Sequence, residues 1–366
     1  MQKEGQVRIP SGCAISGIID RTGARFDGSV IMRSITVMHD RSNGLGGGFA
    51  GYGIYPEYPD QFAFHLFYES VSAKEACEAL LRERFEVAFQ SELPTRKHKN
   101  ITDPPLIWRY FLSPKHSGLE ETELTEQEYV ARFVTFVNTK VDGAYVFSCG
   151  KNMGVFKAVG FPEDVGAFYK LDEYAAWCWT AHGRYPTNTP GWWGGAHPFA
   201  LLDYSVVHNG EISSYDANRR SIEMHGYKCN LLTDTEVIAY ILDYLLRNRG
   251  LTLNEASAVL AAPFWSTIER MPEEERRKLT YLRNTFSSLL LTGPFSILVG
   301  FTNGMMALND RLKLRSMVAA EKGQFAYVAS EECAIRTIQP DLDRVWAPSG
   351  GEPVIFTING EEPKCR

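Results

Sequence analysis

No cysteine pair in this chain of 366 residues has C-x-x-C spacing, and no H-E-x-x-H occurs among its 8 histidines. The 7 cysteines, Cys13, Cys77, Cys149, Cys178, Cys229, Cys333 and Cys365, are odd in number and scattered. Both facts argue against a disulfide framework and against a metal or iron–sulfur site built by this chain alone. They point to a reducing compartment. No run of about 18 apolar residues occurs, so no membrane-spanning helix is expected. Stretches such as Phe295–Phe301 are strand-sized. Positive charge is not in excess: 38 Lys+Arg stand against 44 Asp+Glu, a formal charge of −6, and such a chain lacks the electrostatic footprint for nucleic acid. Met1–Gly12 is polar, without the apolar centre of a secretory signal, so cytoplasm is expected. With 44% hydrophobic and 22% charged residues, the chain is globular in composition.

Several common chemical motifs are missing too. There is no G-x-x-x-x-G-K-[ST] phosphate loop and no G-x-S-x-G nucleophile elbow. Gly46-Gly47-Gly48-Phe49-Ala50-Gly51 matches G-x-G-x-x-G letter for letter, but YGIYPEYP follows it. That sequence cannot open the helix a dinucleotide site needs.

What is present suggests strands, then helices, then strands again. Residues 1–12 read as an extended arm. Cys13–Asp20 (CAISGIID) reads as a buried strand and Ser29–His39 as a first helix. Asn43–Gly53 is dense in glycine and is expected to be loop. Gln61–Val71 reads as a strand, Ala73–Glu92 and Thr125–Lys140 as helices, and Ala144–Cys149 as a strand. Together they suggest an α+β insertion over about residues 60–150. Tyr204–His208 reads as a strand. Asp234–Leu246 reads as an amphipathic helix capped by Thr233 or Asp234, and residues 252–290 as further helix. Strands return at Phe295–Phe301, Met305–Leu308, Phe325–Ser330 and Val354–Thr357. This order suits a layered α+β fold better than a parallel βαβ sheet.

Three separated segments make chemical sense together. They are Cys13; His182–Phe199 (HGRYPTNTPGWWGGAHPF) with His208-Asn209-Gly210-Glu211-Ile212; and Thr233-Asp234-Thr235-Glu236. Taken singly, each has a plain reading. Cys13 would be core packing, Arg184 a surface ion pair, and Asn209-Gly210 a hairpin turn. Asp234 would be a helix cap worth about 1 kcal/mol. Trp192 and Trp193 fit a lid or simple packing equally, and Gly44–Gly53 fits either a closing loop or a plain turn. Taken together, they suit a free amino acid with a side-chain amide. An arginine fork clamps the α-carboxylate and an aspartate pairs with the α-ammonium. An Asn-Gly pair offers an NH₂ and a backbone N–H to an oxyanion, and a thiol attacks the amide carbon.

Cys13 with Ala-Ile-Ser-Gly-Ile, followed in order by RYPTNT, AHPF, HNGEI and TDTEV, resembles the glutaminase domain of class II glutamine amidotransferases. These are N-terminal-nucleophile hydrolases. The resemblance is nearest to the stand-alone amidotransferase subunit of archaeal-type glutamate synthase, and Gly300–Arg315 resembles a late strand pair of the same domain. It implies a four-layer αββα sandwich of two antiparallel sheets over residues 13–366, interrupted by the insertion. It implies catalytic roles for Cys13 as nucleophile and for Asn209 and Gly210 as oxyanion hole. Arg184 and Thr187 would hold the α-carboxylate and Asp234 the α-ammonium, with His197, Tyr185 and Asn188 near the pocket. The general base would be the α-amino group of Cys13, ordinarily near pKa ~7.7–8.0. Because Cys13 is preceded by twelve residues, the resemblance implies that residues 1–12 are a propeptide to be removed. The sequence departs from the family's habit at Ala14, where many relatives have Gly, and at Asn188, where hexosamine-type relatives have His. The implied reaction is glutamine hydrolysis through a thioester, with ammonia delivered to a separate glutamate synthase subunit. FMN and an iron–sulfur cluster would sit on that partner, and no cofactor on this chain. Two rivals stay open: a non-catalytic amidotransferase-like regulatory or scaffold subunit, and a glutaminase subunit serving another acceptor, of the N-methylglutamate synthase type.

Overall fold

The run Ala14–Asp20 is buried along its whole length, which a strand achieves only where both of its faces are covered. In the computed structural model, which describes residues 12–186 and 191–360, both covers are visible. On one face the helix Ser29–Thr36 brings Ser34 Oγ to 2.7 Å from Ser16 Oγ. On the other a second sheet approaches so closely that a Cβ on Gly17 would stand 2.5 Å from Leu298 Cδ2.

Ala14–Asp20 is the middle strand of a seven-stranded sheet among the described residues. The order is Arg344–Trp346, Val318–Lys322, Phe325–Ala329, Ala14–Asp20, Cys178–Gly183, Gly47–Tyr52, Met153–Ala158. Every neighbouring pair is antiparallel. The facing sheet has five strands, ordered Phe199–Leu201, Tyr204–Gly210, Phe295–Phe301, Gly304–Asn309, Val354–Thr357, again all antiparallel.

Residue parity shows the layering. Val207, Leu298, Met305 and Ala307 pack between the sheets. Their chain neighbours Val206, Ile297, Val299, Met306 and Leu308 pack outward, with Val237, Ile241 and Leu253. These outer residues come from the helices Asp234–Asp243 and Leu253–Leu260. The first sheet is covered outside by Ser29–Thr36 and Pro162–Phe168. The result is a four-layer αββα sandwich.

Residues 62–148 build a further four-stranded antiparallel sheet, ordered Phe85–Glu92, Leu106–Pro114, Phe62–Tyr68, Ala144–Ser148. Phe62, Phe64, Leu66 and Tyr68 join the core that holds Leu81 and Phe133 from the helices Val71–Arg84 and Glu126–Lys140. The alternate residues Ala63 and Phe67 face the core of the seven-stranded sheet.

Three expectations are corrected. Gly47–Tyr52 is a buried strand, not loop. Its glycines allow backbones to approach: a Cβ on Gly48 would lie 2.2 Å from His197 O and 2.5 Å from Phe156 O. The helix expected over Ala73–Glu92 ends at Arg84, and Phe85–Glu92 pairs as a strand. Asn209-Gly210 is not a hairpin turn but the end of Tyr204–Gly210, paired with Ser296 and Phe295. The strands Cys178–Gly183 and Met153–Ala158 carried no clear alternating pattern and were not expected. The arm at residues 1–11 and the site candidates Thr187 and Asn188 lie outside the described residues.

Candidate active site

Cys13 sits immediately before the central strand, where the chain enters the sandwich. It is half-buried, and the Tyr185 backbone N–H donates to its Sγ at 3.3 Å. Burial pushes the thiol above its ordinary pKa, and the Asp234 charge adds to that. The Tyr185 N–H and the charges of Arg184 and Arg315 pull the other way. Arg41 fixes the carbonyl: its Nε donates to Cys13 O at 3.3 Å while its Nη1 pairs with Glu331 at 2.7 Å. The Ser330 hydroxyl oxygen accepts from Ile15 N at 3.1 Å and from Asn209 Nδ2 at 3.3 Å. One serine therefore ties the cysteine's strand to Asn209 on the facing sheet.

Arg184 follows the strand Cys178–Gly183 and is 4% exposed. Its backbone is clamped by the segment before Gly47–Tyr52: Arg184 N donates to Gly46 O at 2.9 Å, and Ser42 Oγ donates to Arg184 O at 3.1 Å. Gly46 has φ +150, and a Cβ there would meet Arg184 Cδ at 3.0 Å. Glycine is thus required for the arginine side chain to pass. Gly210 is equally constrained, with φ +146 and an added Cβ only 2.0 Å from Pro294 O.

Asp234 opens the helix Asp234–Asp243. Its Oδ2 accepts from Ile212 N at 3.2 Å, and its Oδ1 lies 3.3 Å from Thr235 Oγ1 and 3.4 Å from His208 Nδ1. Burial alone would raise its pKa. The His208 charge and the hydrogen bonds from His208, Ile212 and Thr235 outweigh burial and hold the carboxyl below its ordinary value. Behind it, His197 Nε2 is 2.6 Å from Thr235 Oγ1, and the His182 and His197 rings stack at 4.2 Å. His182 Nε2 faces the His208 carbonyl oxygen at 2.9 Å. A carbonyl only accepts, so Nε2 carries a proton. Burial pushes His182 down to about 3 and His197 well below its ordinary value.

A cavity of about 670 Å³ joins these groups, a volume in the range of small-molecule sites. Cys13, Arg184, Tyr185, His197, Gly210 and Asp234 line it. Asn209 does not; it is fully buried one residue behind, with its Nδ2 on Ser330. Its Oδ1 has no hydrogen-bond partner among the described residues. The two tryptophans part company. Trp192 lines the cavity and is 41% exposed, whereas Trp193 packs edge-on against Phe67 and Phe168. Sequence reasoning assigned no site role to His208, Ser330, Tyr215 or the wall residues 230–232. His208 stood inside a motif already singled out; Ser330 and the wall carried no local signal.

A thiol at the head of a central strand, an arginine and an aspartate thus share one cavity of an αββα sandwich. The family profile described as glutamine amidotransferases class-II matches residues 69–344, and the chain belongs to that family. The match takes in Arg184, Asn209, Gly210 and Asp234, while Cys13 precedes it. An uncharacterized protein of Archaeoglobus fulgidus is 49% identical over 353 residues, covering 96% of this chain and 93% of the relative. The amidophosphoribosyltransferase of Methanocaldococcus jannaschii is 25% identical over 199 residues, covering 53% of this chain and 36% of that protein. Among solved structures, a glutamine phosphoribosylpyrophosphate amidotransferase from B. subtilis aligns with 97% of this chain and 49% of its own, at a TM-score of 0.48 and 13% identity.

Proposed function

We propose that this chain hydrolyses L-glutamine to L-glutamate and ammonia through a γ-glutamyl thioester on Cys13. The observation that carries this reading is the convergence of Cys13, Arg184 and Asp234 on one cavity. Arg184 would take the α-carboxylate, with Thr187 assisting, and Asp234 the α-ammonium. These contacts fix the side-chain amide over the thiol. The sulfur attacks the amide carbon and the carbon–nitrogen bond breaks. Ammonia leaves with the proton the base has taken from the thiol, and water then cleaves the thioester. The Gly210 N–H and the Asn209 side chain would stabilise the oxyanion.

The base in this reading is the α-amino group of Cys13, which exists only once residues 1–12 are removed, because an amide nitrogen is not basic. Around Gly12, a Cβ would lie 3.5 Å from Arg315 Nη1, 3.7 Å from Arg41 Nη2 and 4.0 Å from Asn209 Oδ1. The two guanidinium charges disfavour protonation of such an amine, so they weigh toward the free-base form.

We assign the ammonia to a separate glutamate synthase subunit that aminates 2-oxoglutarate with FMN and an iron–sulfur cluster. The described residues offer no ligand set for the cluster. The described cysteines stand apart in separate elements, and among the described residues no three His, Cys, Asp or Glu are grouped to bind a metal.

The test is the intact mass of the purified protein before and after incubation with a glutamine analogue carrying a diazoketone. The expected result is loss of residues 1–12 and a single adduct that Cys13→Ala abolishes. A full-length mass without adduct would overturn the reading in favour of a non-catalytic scaffold subunit.

A further inference from the structure

Thr235, the second residue of the helix Asp234–Asp243, is fully buried and does not line the cavity, yet its hydroxyl meets three side chains that do. Thr235 Oγ1 lies 2.6 Å from His197 Nε2, 3.3 Å from His208 Nδ1 and 3.3 Å from Asp234 Oδ1. The chemistry above uses Asp234 but neither this hydroxyl nor the two imidazoles.

One hydroxyl has one hydrogen and two lone pairs, and a carboxylate only accepts. A bond between Thr235 and ionised Asp234 therefore uses that one hydrogen. Were it turned to His197 instead, Thr235 Oγ1 and Asp234 Oδ1 would face each other at 3.3 Å with no proton between them. With the hydrogen on Asp234, both imidazoles present an N–H to the hydroxyl oxygen, His197 through Nε2 and His208 through Nδ1. His208 Nδ1 also stands 3.4 Å from Asp234 Oδ1, which wants a donor there. The opposite nitrogens, His197 Nδ1 and His208 Nε2, have no hydrogen-bond partner among the described residues. In this order they are bare nitrogens. In the reverse order each would be a buried N–H without an acceptor, the rarer kind of orphan in folded proteins.

We propose that Thr235 is a positioning residue for recognition of the substrate's α-ammonium group: its hydroxyl donates to Asp234, accepts from His197, and so fixes how the carboxylate faces the cavity. The identity of that substrate rests on the glutamine reading. Ile212 N holds the other carboxylate oxygen at 3.2 Å, so loss of the hydroxyl leaves Oδ1 only the longer approach from His208. Thr235 touches neither the thiol nor the amide, so its loss falls on affinity for ammonium-bearing ligands rather than on the bond-breaking step.

The experiment compares Thr235→Val, which removes the hydroxyl at similar volume, and Thr235→Ser, which keeps it, with the wild-type chain. It reads KM and kcat for glutamine, calorimetric Kd for L-glutamate and for glutarate (the same diacid without the ammonium), and nitrogen NMR of the histidine rings, with His197 assigned by its loss in His197→Gln. Thr235→Val should raise KM and weaken L-glutamate about tenfold, the scale of one hydrogen bond to a charged group, with kcat nearly unchanged and glutarate bound as before. Thr235→Ser should restore the wild-type values, and the wild-type His197 ring should carry a proton on Nε2. Thr235→Ala supplies the same comparison if the valine variant does not fold. Equal weakening of L-glutamate and glutarate, a serine variant that behaves like the valine one, or a His197 ring protonated only at Nδ1 would overturn the role. If the wild-type chain neither hydrolyses glutamine nor binds L-glutamate, the glutamine reading fails, while the His197 ring still decides the order of the hydrogen bonds.

Discussion

Buried imidazoles make this molecule sensitive to acid. His65 Nδ1 faces the Val155 carbonyl oxygen at 2.8 Å, so Nδ1 holds a proton, and Nε2 lies 2.7 Å from Tyr55 Oη. Burial pushes the pKa of this ring down to about 3, as it does for His182. In the unfolded chain each histidine takes up a proton near pH ~6.5. A folded pKa below the unfolded one means that the unfolded state binds more protons as pH falls through that window. Stability is therefore intact above about pH 6.5 and is lost below it, by up to ~1.4 kcal/mol per pH unit for each such histidine. At pH 5 each costs roughly 2 kcal/mol by the same relation. Urea unfolding between pH 7.5 and 5 measures the slope. His65→Gln should reduce the slope by about one proton, whatever it does to absolute stability. An unchanged slope would mean that His65 is already protonated in the folded protein or exposed.

Among the elements, Gly47–Tyr52 shows what a sequence hides. Glycine marks turns through its backbone freedom, and by that rule the cluster was expected to be loop. Here the operative property is the missing side chain. Gly48 passes within contact of two carbonyl oxygens, one of them belonging to His197 of the candidate site. No local pattern tells the two uses of glycine apart, because the difference lies in strands about a hundred residues away in the chain. By contrast, Ala14–Asp20 and Phe295–Phe301 were legible, since a continuous short apolar run suits a strand covered on both faces. The cavity-lining Cys13, Arg184, Gly210 and Asp234 could be picked out because they travel in compact motifs. Ser330 could not, because a serine gives no sign in sequence of being buried.

The two roles of glycine predict different costs. Gly48→Ala drives a methyl into backbone on two sides and should lower stability by about 3 kcal/mol. It should also displace His197 and weaken glutamine binding. Gly323→Ala adds a methyl that meets nothing, at φ +55, and should cost only the left-handed backbone penalty of about 1 kcal/mol. Equal midpoints in urea would refute the close-approach account of the glycine strand.

For the whole molecule, the question is where the ammonia goes. Among the described residues no helix is long and apolar enough to cross a membrane, and the cavity is the meeting place of both sheets and three loop segments. Glutamine chemistry in this reading belongs to this chain and reductive amination to its partner. The two half-reactions should therefore separate by mutation. A complex carrying Cys13→Ala should form glutamate from 2-oxoglutarate and added ammonium salt, but not from glutamine, while the wild-type complex uses both. Arg184→Ala should have the same phenotype through lost binding, recoverable in part at high glutamine, whereas Cys13→Ala should not recover at any concentration. That contrast belongs to the proposed roles, in which Arg184 binds the substrate and the Cys13 sulfur makes the bond. If neither nitrogen source yields glutamate but methylamine and glutamate yield a condensed product, the partner is of the N-methylglutamate type. The glutaminase assignment would survive that result and the acceptor assignment would not. If the Cys13→Ala complex still used glutamine, the nucleophile itself would be misassigned, and the convergence of Cys13, Arg184 and Asp234 would need another explanation.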